Sequence, residues 1–435
     1  MNIISSNLQK IRENPFIFQS VTTLLFRVFG VVILFGFTLF LTKNFTPKTV
    51  GQYDFVRSFL LVIGSICLLG CDQSILYFSG RIKGVNGVSD IKNTYKKMVG
   101  IVFSMSILIF LVILCIDKQY IDHFFSDPAV HPMLLKSSGV LFFYSITTLN
   151  TEVFRALDRL YVAEIFRNTI KYIPMSIGAI IVFYYYDEHF LIDVFLIGFL
   201  ILAFVTSGLL YYYLKKLPGK NEVNSFTYKE IVTKSYPIAI SGMALFLLMS
   251  LDILFLKKYL NDEAVAFYAL SVKLMTIISM VIITVNITVS TKIAEYFSSN
   301  DAIKLASTVR NSSRLIFLLT FPAALIVCFF SEEILGFFGK EYIAAQQALI
   351  ILMIGQVICS AFGSAPVYLN MTGRQKNFQV ILLIAVCINF VLNRFLIPEF
   401  GLNGAAIAFV ASSIFWNLVS ALIIVRKDKV KVFLH

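Results

Sequence analysis

Apolar residues recur along this chain in blocks of about twenty, the number a helix needs to cross the hydrocarbon core of a bilayer. The pattern predicts helices near 20–42, 52–79, 97–117, 133–155, 164–186, 190–214, 234–256, 264–290, 313–331, 345–371, 377–397 and 402–425. Only Asp187, Glu188 and His189 separate the fifth block from the sixth. A single helix across both would overrun the bilayer, so the reading is two helices and a tight turn. Residues 20–41 are too long, and too polar at the far end, for a cleaved signal, and they read as the first membrane helix. Segment 215–233 reads as a linker between an N-terminal six-helix lobe, 1–214, and a C-terminal one, 234–435. Segment 292–314 spaces Ile293, Phe297, Ile303 and Leu305 among charges, which suggests a helix lying on the membrane face or a plain connecting loop.

Composition agrees with the blocks. Apolar residues make up 58% of the chain and charged residues 14%, against roughly 45–50% and 25% in soluble domains. The net charge of +12 is scattered over short loops, so it reports topology and not a nucleic-acid face. Of the 37 Lys and Arg, 25 fall on the side of the N-terminus, 7 on the opposite side and 5 within spans. By the positive-inside rule both termini are cytoplasmic. The six cysteines lie in apolar blocks without metal-ligand spacing and read as small buried hydrophobes.

The two halves repeat. A shift of 215 residues lays FTLFLTKNFTPKTVGQYDF over DILFLKKYLNDEAVAFYAL, and FRALDR over LNMTGR, so that Tyr53 meets Tyr268 and Arg159 meets Arg374. Internal repeats with a transport path between them are common in secondary transporters. The expected fold is all-α, twelve helices in two pseudo-symmetric lobes around a central cavity.

Four stretches carry a resemblance: LTKNFTPKTVGQYDFVRS, LDILFLKKYLNDEAVAFYALS, SEEILGFFGKEYIAAQQAL and GLNGAAIAFVASSIFWNL. Together the chain resembles the O-antigen (Wzx-type) polysaccharide flippases, within the superfamily that includes multidrug exporters and the lipid II flippase. The resemblance implies alternating access and a polyprenyl diphosphate-linked oligosaccharide as cargo. It also implies a bacterial inner membrane and a place in O-antigen or lipopolysaccharide biosynthesis. The implied partners are that lipid, the surrounding membrane lipids and polysaccharide polymerase machinery, with no nucleic acid.

A charge at the bilayer centre costs roughly 2.5–3.5 kcal/mol, so in-span cations must face a cavity or a partner. The five are Arg27, Arg57, Lys136, Lys171 and Lys273. Arg27, Lys171 and Lys273 lie deepest and have no acid three or four residues away. They read as cavity residues that compensate a diphosphate, with interhelical pairing as the alternative. Arg57 joins the cavity set, although Asp54 at i−3 offers it a local partner. Lys136, in the first turn of its helix, reads as a snorkelling side chain. Asp72, Glu152 and Asp252 are candidates to couple transport to a proton or sodium gradient, each also open to a salt-bridge role.

Asn168, Asn286, Asn389 and Asn393 read as helix-bridging amides or sugar contacts. No nucleophile elbow, phosphate loop or metal motif stands in the sequence, and no cofactor or enzymatic activity is expected. Three other classes remain: an ion-coupled multidrug antiporter of the same fold, a polysaccharide polymerase or ligase, and a membrane scaffold. An acid-lined path would mark the first and large outer loops the second.

Overall fold

The computed structural model describes residues 15–85, 89–216 and 226–433, and among them every regular element is helical. In chain order these are α1 (Pro15–Asn44), α2 (Pro47–Leu68), α3 (Cys71–Val85), α4 (Ser89–Cys115), α5 (Lys118–Phe125) and α6 (Val130–Ala156). Next come α7 (Leu160–Ile165), a π-helical segment (Phe166–Ile170), α8 (Tyr172–Tyr185) and α9 (Leu191–Lys215). The second half holds α10 (Tyr228–Tyr259), α11 (Asp262–Ser298), α12 (Ala302–Phe329), α13 (Ser331–Phe338), α14 (Gln346–Ser360), α15 (Ala365–Met371) and α16 (Gln375–Asp428). Most of the linker, 217–225, lies outside the described residues.

Nine of the described helices are long and apolar enough to cross a membrane. The 54-residue α16 is two such helices joined at Gly401, whose φ of 56° breaks it. With α6 and the composite α7–α8 the architecture is consistent with twelve crossings. The tight turn at 187–190 is present, with α8 ending at Tyr185 and α9 starting at Leu191.

Two expectations need correction. The second block is not one helix, because Leu69 (φ 47°) and Gly70 (φ 74°) break it between α2 and α3. A Cβ on Gly70 would lie 2.6 Å from the Ser235 carbonyl oxygen, so close backbone approach requires glycine here. Segment 292–314 is neither a separate surface helix nor a loop. It is the end of α11 and the start of α12, turning over residues 299–301 with Asp301 accepting from the Lys304 amide at 3.0 Å. Of the apolar residues spaced there, Ile293 and Leu305 are buried in one core cluster with Val309 and Ala365, and Phe297 packs against it, while Ile303 is exposed.

The 215-residue repeat holds in the backbone. Asp158 (φ 60°) and Gly373 (φ 76°) are both left-handed, and each is followed by an arginine. The Arg159 amide donates to Phe154 O at 2.8 Å and the Arg374 amide to Leu369 O at 2.9 Å, the same closure of a helix end. Thr46 and Asn261 occupy equivalent capping positions, accepting from the amides of Thr49 and Ala264. The short helices α5 and α13 also stand at corresponding places.

By packing, the chain forms two compact units. One comprises residues 1–45, 63–118 and 131–239; the other comprises 46–62, 119–130 and 240–435. The start of α2 and the α5 segment therefore pack with the second half of the chain.

Candidate functional site

In the first unit, charged groups gather where α1, α6 and the α7–α8 composite meet. Glu152 on α6 pairs with Arg155 at 3.0 Å and also with Arg167. Glu164, buried on α7, takes Arg27 Nε of α1 at 3.4 Å and Asn168 Nδ2 at 2.9 Å. Gly30 allows this contact, because a Cβ there would lie 2.6 Å from Asn168 Cβ. The charge of Arg167 also acts on Asp72 of α3 and on Arg27. Lys171 follows the π segment with its ammonium 4.9 Å from the Tyr172 ring, and it has no carboxylate partner among the described residues. Four cations thus share the region with Asp72, Glu152 and Glu164. The π turn is what sets Arg167 and Lys171 there, since its extra residue rotates the helix after it.

In the second unit, Asp54 of α2 is fully buried and receives Lys273 Nζ of α11 at 2.8 Å, with Arg57 Nη1 at 3.8 Å. Two residues before Asp54, Gln52 Nε2 donates to Asp262 Oδ2 at 3.0 Å. Asp262 also pairs with Lys257 of α10, whose ammonium reaches Asp127 at 2.6 Å. Lys257 is 3% exposed and Asp262 is buried, while Asp127 is partly exposed, so the cation at the centre of the chain is buried between two carboxylates. Gly51 lets the helices approach, for a Cβ there would overlap the Asp262 carbonyl.

A third cluster, also in the second unit, holds a carboxylate with no cation partner among the described residues. Asp252 of α10 is 1% exposed and accepts from Tyr268 Oη at 2.8 Å, Asn389 Nδ2 at 3.1 Å and Asn393 Nδ2 at 2.7 Å. All three partners are fully buried, and Asn393 Oδ1 has no hydrogen-bond partner. Among the described residues, this carboxylate is held by hydrogen-bond donors alone.

The sequence-predicted residues are therefore sorted differently from expectation. Arg27 and Lys273 have interhelical carboxylate partners, Glu164 and Asp54, and are not unpaired. Arg57 keeps its local Asp54. Lys136 pairs with Asp193 at 2.6 Å where snorkelling alone was expected. Glu152 is held by two arginines and Asp72 sits in the field of one, while Asp252 stands apart from any cation. Asn389 and Asn393 bridge α16 to α10. Sequence reading missed Glu164 and Arg167, because the predicted helix began at Glu164 and left both in its first turn. It also missed Lys257, assigned to a loop by its position one residue past a block.

Comparison with known proteins fits this architecture. Residues 16–291 match the polysaccharide biosynthesis protein family, and residues 237–395 match the MatE family. This chain belongs to the polysaccharide biosynthesis protein family. Within it, the probable low-salt glycan biosynthesis flippase Agl15 of Haloferax volcanii is 29% identical over 199 residues, 45% of this chain and 40% of that protein. The chain thus matches well under half of that flippase's length. An uncharacterized membrane protein of Methanocaldococcus jannaschii is 23% identical over 395 residues, covering 84% of this chain and 76% of that protein. Among solved structures, lipid II flippase MurJ in an inward closed conformation superposes with a TM-score of 0.73 at 13% identity, covering 94% of this chain and 87% of that one. An inward-facing MATE family multidrug resistance transporter gives 0.69 at 12%, covering 93% and 97%. The chain shares the multi-pass membrane fold of these solved structures.

Proposed function

We propose that this chain carries a polyprenyl diphosphate-linked oligosaccharide, an O-antigen or similar repeat unit, from the cytoplasmic to the outer face of a cytoplasmic membrane by alternating access. In this reading both termini are cytoplasmic, as the Lys and Arg asymmetry of the loops supports. The observation that carries it is the cationic cluster of Arg27, Arg155, Arg167 and Lys171 on membrane helices. A diphosphate crossing a low-dielectric region needs its charge compensated, and forked guanidinium donors suit phosphate oxygens. Glu152 and Glu164 keep the arginines aimed while no anion is present, and Lys171 supplies a charge already free. Arg57 and Lys273, tied to Asp54, are the cationic candidates of the second unit. Once outside, the lipid passes to polysaccharide polymerase machinery.

Asp252 is the proposed ion-coupling residue. Its burial without a cation favours proton or sodium binding more than the engaged Glu152 or the Arg167-neighbouring Asp72 does. Asp252→Asn is expected to remove the dependence of transport on the ion gradient.

The experiment is depletion in the host, followed by assay of which membrane face holds the polyprenyl-linked oligosaccharides. Accumulation on the cytoplasmic face supports the reading; unchanged intermediates overturn it. A second reading, an ion-coupled multidrug antiporter, draws on the same Asp252 site and on the pairing of Arg27 and Lys273, which reduces the excess of free cations. Under it, depletion leaves the lipids unchanged and raises sensitivity to cationic drugs.

A further inference from the structure

The second unit contains a cavity of about 420 Å³ that none of the polar clusters above uses, lying between the ends of α11 and α12. Its surroundings mix polar Thr288 and Lys292 from α11 and Thr308 and Asn311 from α12 with apolar Val289 and Leu315. Lys292, Thr308 and Asn311 have no hydrogen-bond or ion-pair partner among the described residues. Thr288 donates to the Thr284 carbonyl at 3.1 Å, so its oxygen lone pairs remain available.

Position gives this crevice its chemistry. α11 has 37 residues, which at 1.5 Å each is about 55 Å, well beyond a hydrocarbon core of about 30 Å. Its first turns sit at the membrane end holding Lys257 and Asp127, so Thr288 to Lys292 fall at the opposite boundary, level with lipid headgroups. The surface leading to them is apolar, with Ile283 and Ile287 of α11 and Leu318 of α12 all at least half exposed. A hydroxyl, an amide and an ammonium at the mouth of a lipid-facing crevice match an amphiphile that carries phosphate at its head and a branched hydrocarbon behind it.

We propose that this crevice is a docking site for the lipid-phosphate end of the translocated substrate. The diphosphate sits against Lys292, Thr308 and Asn311, and the first isoprene unit lies along Val289 and Leu315. The proposal rests on the reading of the chain as a lipid-linked oligosaccharide transporter and places loading of the substrate on the cytoplasmic membrane face.

The test uses the full chain in nanodiscs with a polyprenyl diphosphate bearing a diazirine in its first isoprene unit, and labelled peptides are mapped after illumination. Labelling should fall on residues 285–315, and Lys292→Gln should weaken it roughly tenfold, the loss of one charge-assisted contact. Lys304→Gln removes a neighbouring charge that pairs outward with Asp301, and it should leave labelling unchanged. Label elsewhere in the wild-type protein overturns the site even if Lys292→Gln fails to fold. So does undiminished label in Lys292→Gln, or displacement by phosphatidylglycerol as effective as by unlabelled polyprenyl diphosphate, which would mark a bulk-lipid crevice. Translocation is followed in parallel in proteoliposomes. Transport without crevice label sinks the site alone, whereas crevice label without transport leaves the site standing and sinks the transport reading.

Discussion

Lys273 and Asp54 face each other in the membrane interior, and each makes the other tolerable. Removing only the cation leaves a fully buried carboxylate whose remaining partner, Arg57, stands 3.8 Å away. Breaking such a pair costs about 3–5 kcal/mol, while replacing both partners with apolar groups can be nearly neutral. Lys273→Met should therefore lower the melting temperature of the detergent-solubilised protein by several degrees, and Lys273→Met with Asp54→Leu should recover most of the loss. Equal loss in both variants would show that the pair is not what holds these helices. Asp127 makes a pH-dependent contribution outside the spans. Burial pushes its carboxyl up, but the Lys257 hydrogen bond, the Ala129 amide and the charges of Lys257 and Lys48 outweigh that and hold it below its ordinary value. A depressed folded-state value means the stabilisation is present above the unfolded value and is lost as pH falls through the folded one. The melting-temperature gap between wild type and Asp127→Asn should be widest near neutrality and close below about pH 4.

At the scale of the element, the breaks carry more information than the helices. The α2–α3 break puts Leu69 and Gly70 in left-handed backbone against α10, and just beyond it Ser74 Oγ meets Ser235 Oγ at 2.6 Å. Gly70→Ala adds a strained φ and a clash with the Ser235 carbonyl, and it should cost about 1–2 kcal/mol, read as a lower melting temperature with unchanged helix content. The 215-residue offset was legible from short apolar matches, and the structure repeats it down to single amide bonds at Arg159 and Arg374. What those arginines then touch has diverged. Arg159 lies 5.1 Å from the Tyr213 ring, while Arg374 pairs with Asp428, although Tyr213 and Asp428 occupy equivalent positions. Backbone closure is fixed by a left-handed residue and survives side-chain change; the side-chain partner does not. Arg374→Ala should destabilise more than Arg159→Ala, since only the former strands a carboxylate.

For the whole molecule, topology is the property to measure. In a cysteine-free background, Lys340→Cys should react with a membrane-impermeant maleimide in intact cells, and Lys304→Cys only after permeabilisation. The reverse pattern would overturn the cytoplasmic assignment of the termini. The all-helical membrane pattern, the repeat and the side bias were all written in the sequence, because each follows from local hydropathy, loop charge or residue spacing, and none depends on distant contacts. The cation partners were not. Arg27 and Glu164 are 137 residues apart and Lys273 and Asp54 are 219 apart, so a search within one helical turn finds neither. Asp252 was legible as an acid in a span, but its company of Tyr268, Asn389 and Asn393 comes from two other helices, and only packing shows that no cation among the described residues reaches it. Sequence set which residues had to leave lipid; tertiary structure chose what they met there, because pairing in a low-dielectric interior is decided by distance across helices and not along the chain.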